Sequence, residues 1–325
     1  MTPEPAASEI ESAAAAPPTW IERAPESPWW PPELGPRSAW TEGRCHADIC
    51  SELLLGAPGW SLVGASRRGR LHAHRGDFRE DAFRIAVGEG FFVLVAADGA
   101  GSCRLSRIGS EYACDAAIRR VRAALEQASA ADVGGDPRSW VGDAVGVALS
   151  AAVADVDMLA RNSSIDPKEL RTTLLAAVWW PWEDREYLVS AQVGDGFVAL
   201  RRTDGTVERL CGGDSGEFSG EVSCFVPDDG AARRARATVV IDAADVAAII
   251  LGTDGVEDPF YPIERHGSLL FSQLAEGVAA PAQHFQRQEL HGPVFGPDGD
   301  RQLIRWLGFE RRGENDDRTL VAAWR

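Results

Sequence analysis

The segment Phe91-Phe92-Val93-Leu94-Val95-Ala96-Ala97-Asp98-Gly99 runs seven apolar residues straight into an aspartate and a glycine. A short apolar run of this kind reads as a strand, and the Asp-Gly pair that ends it reads as a turn. The strand therefore acts as a rigid platform that delivers one carboxylate to its tip. The same device recurs in Ala247-Ala248-Ile249-Ile250-Leu251-Gly252-Thr253-Asp254-Gly255. In the tail Asn315-Asp316-Asp317-Arg318-Thr319-Leu320-Val321 the acids stand beside a third apolar strand, and Glu80-Asp81 adds two more upstream. Separated carboxylates carried on buried elements suit hard divalent cations, which take oxygen ligands. Without a cation between them, such carboxylates would repel one another, raise their pKa values and in part neutralise.

The totals narrow the function. A chain of 325 residues has ample length for a real core, and 45% hydrophobic with 25% charged residues is an ordinary globular balance. A formal charge of −16 argues against nucleic acid or an acidic membrane as partner, because phosphate polymers demand clustered Lys and Arg. No apolar run reaches the roughly 20 residues of a membrane span. The N-terminus lacks the basic start and apolar stretch of a secretory signal, so a cytoplasmic location is expected. Six cysteines in so long a chain do not look like a disulfide framework.

Residues 1–44 are rich in Ala, Pro, Glu and Ser, the composition of a flexible tail, with Trp20, Trp29, Trp30 and Trp40 embedded in it. Those tryptophans either dock on the folded body or await a partner. Residues 45–325 form the folded domain. Strands are expected at 60–65, 82–87 and from Phe91, followed by helices over 107–127 and 137–160. A dense strand region follows, at 172–180, 187–193, 197–201 and 206–210, with Asp204-Gly205 as a tight hairpin. A Gly-rich polar loop is expected over 211–221. Strands at 239–241 and 248–251, helices at 269–278 and 301–307, and a closing strand at 320–324 complete the order. Adjacent antiparallel strands with clustered helices predict an α+β layered domain, not a doubly wound sheet.

Six motifs stand in order. They are Arg79-Glu80-Asp81-Ala82-Phe83, Val95-Ala96-Ala97-Asp98-Gly99-Ala100-Gly101-Ser102, Thr172-Thr173-Leu174, Val193-Gly194-Asp195-Gly196, Thr253-Asp254-Gly255-Val256-Glu257-Asp258, and Asp316-Asp317-Arg318-Thr319-Leu320-Val321. Together they resemble the metal-dependent protein phosphatases of type 2C, the PPM family, and within it the bacterial branch with an Asp-Gly-Ala-Gly-Ser turn. The resemblance spans roughly residues 60–324. It implies an α-β-β-α sandwich of two antiparallel sheets flanked by helices, with two Mn²⁺ or Mg²⁺ ions at the strand ends. It further implies that Asp98 bridges both ions and that Gly99 lends its backbone carbonyl. Asp254 and Asp316 would be terminal ligands, and Glu80 and Asp81 would act directly or through water. A glycine at position 99 lets a carbonyl approach a cation closely.

The chain departs from the family pattern at four places. Ala100 stands where many relatives carry a histidine or methionine, which removes a general acid there. The phosphate-binding arginine would fall on Gly76, leaving Arg75 as the candidate. The acid that holds a third ion would fall near Lys168, between Asp166 and Glu169, which counts against a third ion. Asp317 replaces the usual asparagine, a change compatible with orienting Asp316.

Other features have ordinary explanations. Asp195 reads as a turn that positions the sheet, Thr172-Thr173 as strand packing, Glu257 and Asp258 as peripheral, and His72 and His74 as surface residues. Trp179, Trp180 and Trp182 read as hydrophobic cover. Gly213-Asp214-Ser215-Gly216 looks like the serine turn of a trypsin-like protease, but no histidine stands in the context that would activate the hydroxyl. The expected function is Mg²⁺/Mn²⁺-dependent hydrolysis of phosphoserine and phosphothreonine in phosphorylated proteins, opposite a cognate Ser/Thr kinase. The alternatives are a catalytically weak or silent signalling scaffold of the same fold and a structural calcium protein.

Overall fold

The computed structural model describes residues 20–34, 49–57, 59–211, 224–277 and 290–325. In chain order the strands and α-helices are β1 (Ile49–Ala57), β2 (Trp60–Arg67), α1 (Arg70–Arg75), β3 (Ala82–Gly88), β4 (Phe91–Ala97), α2 (Ser106–Glu126), α3 (Ala130–Val133) and α4 (Pro137–Asn162). Then come β5 (Leu174–Trp182), β6 (Arg185–Val193), β7 (Phe197–Arg202), β8 (Val207–Arg209), α5 (Ala231–Arg236) and β9 (Val239–Asp242). The chain closes with β10 (Val246–Gly252), α6 (Asp254–Glu257), α7 (Ile263–Glu276), α8 (Gly299–Trp306) and β11 (Arg318–Trp324).

The strands form two sheets, β1-β2-β11-β10-β7-β8 and β3-β4-β5-β6-β9. All neighbouring pairs are antiparallel. The period of two along β4 assigns its faces. Phe92, Leu94 and Ala96 point between the sheets, where they meet Trp60, Leu62, Trp179, Leu251 and Val321. Phe91, Val93, Val95 and Ala97 point outward into a core shared with Ile108, Val121, Val145 and Leu149 of α2 and α4. β10 does the same on the other sheet: Ile249 and Leu251 face inward, while Ala248 and Ile250 pack on Phe271 of α7 and Trp306 of α8. Each central strand is thus covered on both faces, which is why its sequence is continuously apolar. The result is the expected α-β-β-α sandwich.

The expected strands and long helices are present with end shifts of a few residues, except that the helix expected from Leu269 begins at Ile263. β5 starts at Leu174 and not at Thr172, because Thr172 exchanges backbone hydrogen bonds with Val226, at 3.0 and 2.8 Å. The expectation missed β1, an edge strand whose Leu53 and Leu54 are only half-buried. It also missed α1, six residues with only His72 and Ala73 buried, too short and too cationic to show an apolar period. Trp179, Trp180 and Trp182 do serve as hydrophobic cover. Trp179 lies in the sheet-to-sheet core with Trp60 and Phe92, and Trp180 stacks with Trp182 on the other face.

The N-terminal segment differs from a loose tail where it is described. Trp20 meets the His74 ring edge-on at 5.5 Å, and the Arg23 backbone N–H donates to Ala73 O at 2.9 Å. The Trp29 carbonyl accepts from Arg107 Nε at 3.0 Å, and Leu34 is buried in the α2/α4 core. The segment 20–34 is a strap across α1 and the start of α2. Trp40, the remaining tail residues, the loop over 212–223 with its serine turn, and residues 278–289 lie outside the described residues.

Candidate metal centre

Strand register brings the acids together. Ala82 at the start of β3 pairs with Ala97 at the end of β4, so Glu80-Asp81 and Asp98 leave the same end of that sheet. Gly252 at the end of β10 pairs with Leu320 near the start of β11, which puts Asp254 beside Asp316 and Asp317. Leu174 pairs with Val193, so Thr172-Thr173 and Asp195 belong to that end as well. Six sequence-distant motifs therefore share one rim of the sandwich.

Asp98 is fixed through its backbone. Its N–H donates to Thr173 Oγ1 at 2.8 Å, and its carbonyl accepts from Thr172 Oγ1 at 2.7 Å and from Thr173 N at 2.8 Å. Every neighbouring backbone and hydroxyl bond is thus spent on holding the main chain, and the carboxylate is left to the cleft. Gly99 is forced by crowding: a Cβ there would come within 2.8 Å of Glu80 O and 2.9 Å of Ser106. Asp254 opens α6, and the Gly255 after it lies so close to Asp317 O that a Cβ would approach to 2.0 Å. Asp81 is fully buried; its Oδ2 accepts from Thr253 Oγ1 at 2.9 Å and from Thr319 Oγ1 at 2.7 Å. Asp317 N donates to Asp316 Oδ1 at 2.8 Å, which orients Asp316 as its position suggested.

The electrostatics are those of acids crowded without a counter-charge. Burial first, then Asp254, Asp81, Asp316 and Asp195, hold the Asp98 carboxyl well above the usual carboxylate range. Asp254 is likewise held well above it by burial and by Asp195 and Asp316, while its hydrogen bond with Asp98 pulls the other way. Two carboxyls in mutual hydrogen-bond contact must share a proton or have a cation between them. Burial and Asp317 push Asp81 up to about 7, and burial takes Glu80 to about 7 against the pull of His72. Glu80 Oε2, Asp81 Oδ1 and Asp254 Oδ1 are buried with no hydrogen-bond partner. Orphaned oxygens cost free energy, about 1–3 kcal/mol each or more when charged, so these atoms fit a hard cation.

Several site residues were not evident from sequence. His72 is not a surface residue: it is 8% exposed, with Nδ1 3.0 Å from Asp317 Oδ1 and Nε2 3.9 Å from Glu80 Oε2. Burial opposes its charge, but Asp317, Glu80 and Asp316 overcome this and push the imidazole up to about 9. Donor atoms of His72, Asp316 and Asp317 lie within 4.8 Å of one another. Thr172 and Thr173 do more than pack, since they hold Asp98. Asp195 sits in a turn between two positive-φ glycines, as expected, but its field also reaches Asp98 and Asp254. The available signals were the threonine pair just before β5 and the threonines at 253 and 319, one residue before Asp254 and two after Asp317. Glu257 is buried and paired with Arg209, and Asp258 is exposed. Arg75 is exposed on the last turn of α1, whereas Arg79 is buried and bonded to Ser66 Oγ at 2.7 Å and to the Asp81 carbonyl.

The family profile described as Protein phosphatase 2C matches residues 68–292, well over half the chain. The chain belongs to the protein phosphatase 2C family. Solved structures agree on the fold of this phosphatase 2C chain. Stp1, a serine/threonine phosphatase of Staphylococcus aureus, is 15% identical with a TM-score of 0.50, over 87% of this chain and 99% of that one. The S. agalactiae serine/threonine phosphatase is 12% identical with a TM-score of 0.50, over 85% and 99%. A sex-determining protein of C. elegans is 14% identical with a TM-score of 0.53, over 87% and 65%. A sequence search among curated proteins found no match.

Proposed function

We propose that this phosphatase 2C chain is a Mn²⁺- or Mg²⁺-dependent phosphatase acting on phosphoserine and phosphothreonine in proteins. The observation that carries the reading is the convergence of the acids on one rim, where buried oxygens of Glu80, Asp81 and Asp254 have no hydrogen-bond partner. Asp98, the Gly99 carbonyl, Asp254 and Asp316 would hold two divalent cations, with Glu80 and Asp81 completing the rim. When bound, such a pair supplies an activated solvent nucleophile and neutralises phosphoryl oxygens.

The chain's own residues supply placement. Thr172 and Thr173 lock the Asp98 backbone, while Thr253 and Thr319 aim Asp81. Asp317 orients Asp316. Arg75, exposed on the last turn of α1, is the candidate to steady the phosphoryl group. Ala100 offers no proton, so the leaving alkoxide would take one from solvent. We further infer a cytoplasmic setting and a partner Ser/Thr kinase that makes the phosphoprotein.

Purified protein with millimolar Mn²⁺ is expected to hydrolyse p-nitrophenyl phosphate and phosphopeptides, and Asp98→Asn to lose that turnover. No wild-type turnover on either substrate sinks the enzymatic reading. A silent signalling scaffold is the second reading, motivated by Ala100 and by the burial of Arg79 away from solvent. Titration calorimetry separates the two where the scaffold folds without taking up Mn²⁺.

A further inference from the structure

Asp317 carries more donors than an asparagine could satisfy. It is 2% exposed; Oδ1 accepts from Gly69 N at 2.5 Å, and Oδ2 accepts from Glu80 N at 2.6 Å. His72 Nδ1 stands 3.0 Å from Oδ1 as an ion-pair contact, without the alignment of a hydrogen bond. Both carboxylate oxygens face N–H groups. An amide in the same place has one acceptor oxygen and an NH₂ that would point at a donor, leaving a buried N–H unmet. The asparagine usual in phosphatases of this type therefore cannot reproduce these bonds, and the exchange to aspartate has a purpose in this chain.

What Asp317 joins is specific. Gly69 sits one residue before α1, the helix that carries His72. Glu80 is the acid whose Oε2 has no partner, and the His72 ring reaches it from its other nitrogen at 3.9 Å. The Asp317 backbone orients Asp316 on one side and packs against Gly255 on the other. One residue thus links, by side chain and backbone together, the 69–80 segment, the 316–317 acids and the start of α6.

We propose that His72 and Asp317 are a positioning pair that sets Glu80, and with it the upstream wall of the cation cleft. The pair stands on the phosphatase reading for its purpose, but its geometry can be tested without activity. His72 braces the carboxylate, and the carboxylate holds the Gly69 and Glu80 amides. Neither residue needs to touch the substrate.

The test uses full-length Asp317→Asn, His72→Gln and the double variant, with the exposed α4 substitution Val147→Ala as control. Amide hydrogen exchange over residues 69–81 is measured in metal-free protein, and Mn²⁺ affinity by calorimetry. Asp317→Asn is expected to speed exchange at Gly69 and Glu80 at least tenfold and to weaken Mn²⁺ binding about 10–100-fold, the range for residues that orient metal ligands. His72→Gln is expected to shift both in the same direction by less. The double variant should be no worse than Asp317→Asn, because both changes act through one carboxylate. Saturating Mn²⁺ should restore much of the turnover, while the Gly69 and Glu80 amides exchange faster than the core strands do, a local pattern that a general folding defect would not give. Unchanged exchange in both single variants, or strictly additive losses, overturns the proposal. If Asp317→Asn does not fold, His72→Gln decides alone. If the wild type takes up no Mn²⁺, the phosphatase reading falls, while exchange still shows whether the pair holds Glu80.

Discussion

Two charge clusters adjoin β3, one buried against α2 and one at the strand's start opening to the cleft, and they are built on opposite plans. Between β3 and α2, Arg84 pairs with Glu111 and, at 2.6 Å, with Asp115, and Arg79 stands 3.6 Å from Glu111. All four residues are buried. Two arginines meet two acids, so that cluster is neutral within itself. At the strand ends, Glu80, Asp81, Asp98, Asp195, Asp254 and Asp316 raise one another's pKa values, with His72 Nε2 3.9 Å from Glu80 Oε2. The first cluster is complete as folded. The second keeps partnerless oxygens and carboxyls pushed far up, a lining whose chemistry fits a hard cation.

The contrast is open to test. The largest effect is expected from Asp98→Asn, which should bring Mn²⁺-dependent turnover to background and abolish tight Mn²⁺ uptake in calorimetry. The same change should raise metal-free stability by about 0.5–2 kcal/mol in denaturant titration, since it removes one member of a repelling set. Glu111→Ala in the neutral cluster should do the reverse. It strands Arg84 without a full partner and should cost about 3–5 kcal/mol, leaving Mn²⁺ affinity unchanged in whatever protein remains folded.

A smaller effect follows from pH. Glu80 and Asp81, raised to about 7, bind protons in the folded state that the unfolded chain has already released. Their contribution to stability is therefore complete below the ordinary carboxylate pKa near 4 and is lost as pH rises to about 7. The thermal midpoint of the metal-free protein should fall on the order of 5 °C between pH 5 and 8, and Mn²⁺ should flatten that slope. A metal-free midpoint that rises over this window would contradict the repulsion argument. The smallest effect belongs to the strap. Deleting residues 1–34 removes its bonds to α1 and should weaken Mn²⁺ binding severalfold, reported by faster exchange over 70–76.

The strands were legible because their patterning carries the fold directly. The run from Phe91 to Ala97 is apolar at every position, and the structure covers both of its faces. The acids were legible for the same reason, since each stands just before or just after such a run. His72 was not legible: a histidine in a six-residue cationic helix has no periodic context, and its burial comes from Asp317, 245 positions away in sequence. Thr172 and Thr173 looked like strand residues because β-branching favours strands, yet their hydroxyls serve Asp98. The strap's tryptophans sit in a composition typical of disorder, and only α1 and α2 give them a surface to cover.

The sequence alone determined which apolar runs are buried and which acids flank them, because hydrophobic patterning and turn chemistry are local properties of residue type and spacing. The tertiary structure decided that those acids meet, which of them lack a partner and which side chain braces them. Those facts depend on the register between strands and on approaches between segments far apart in the chain, and no local pattern encodes them.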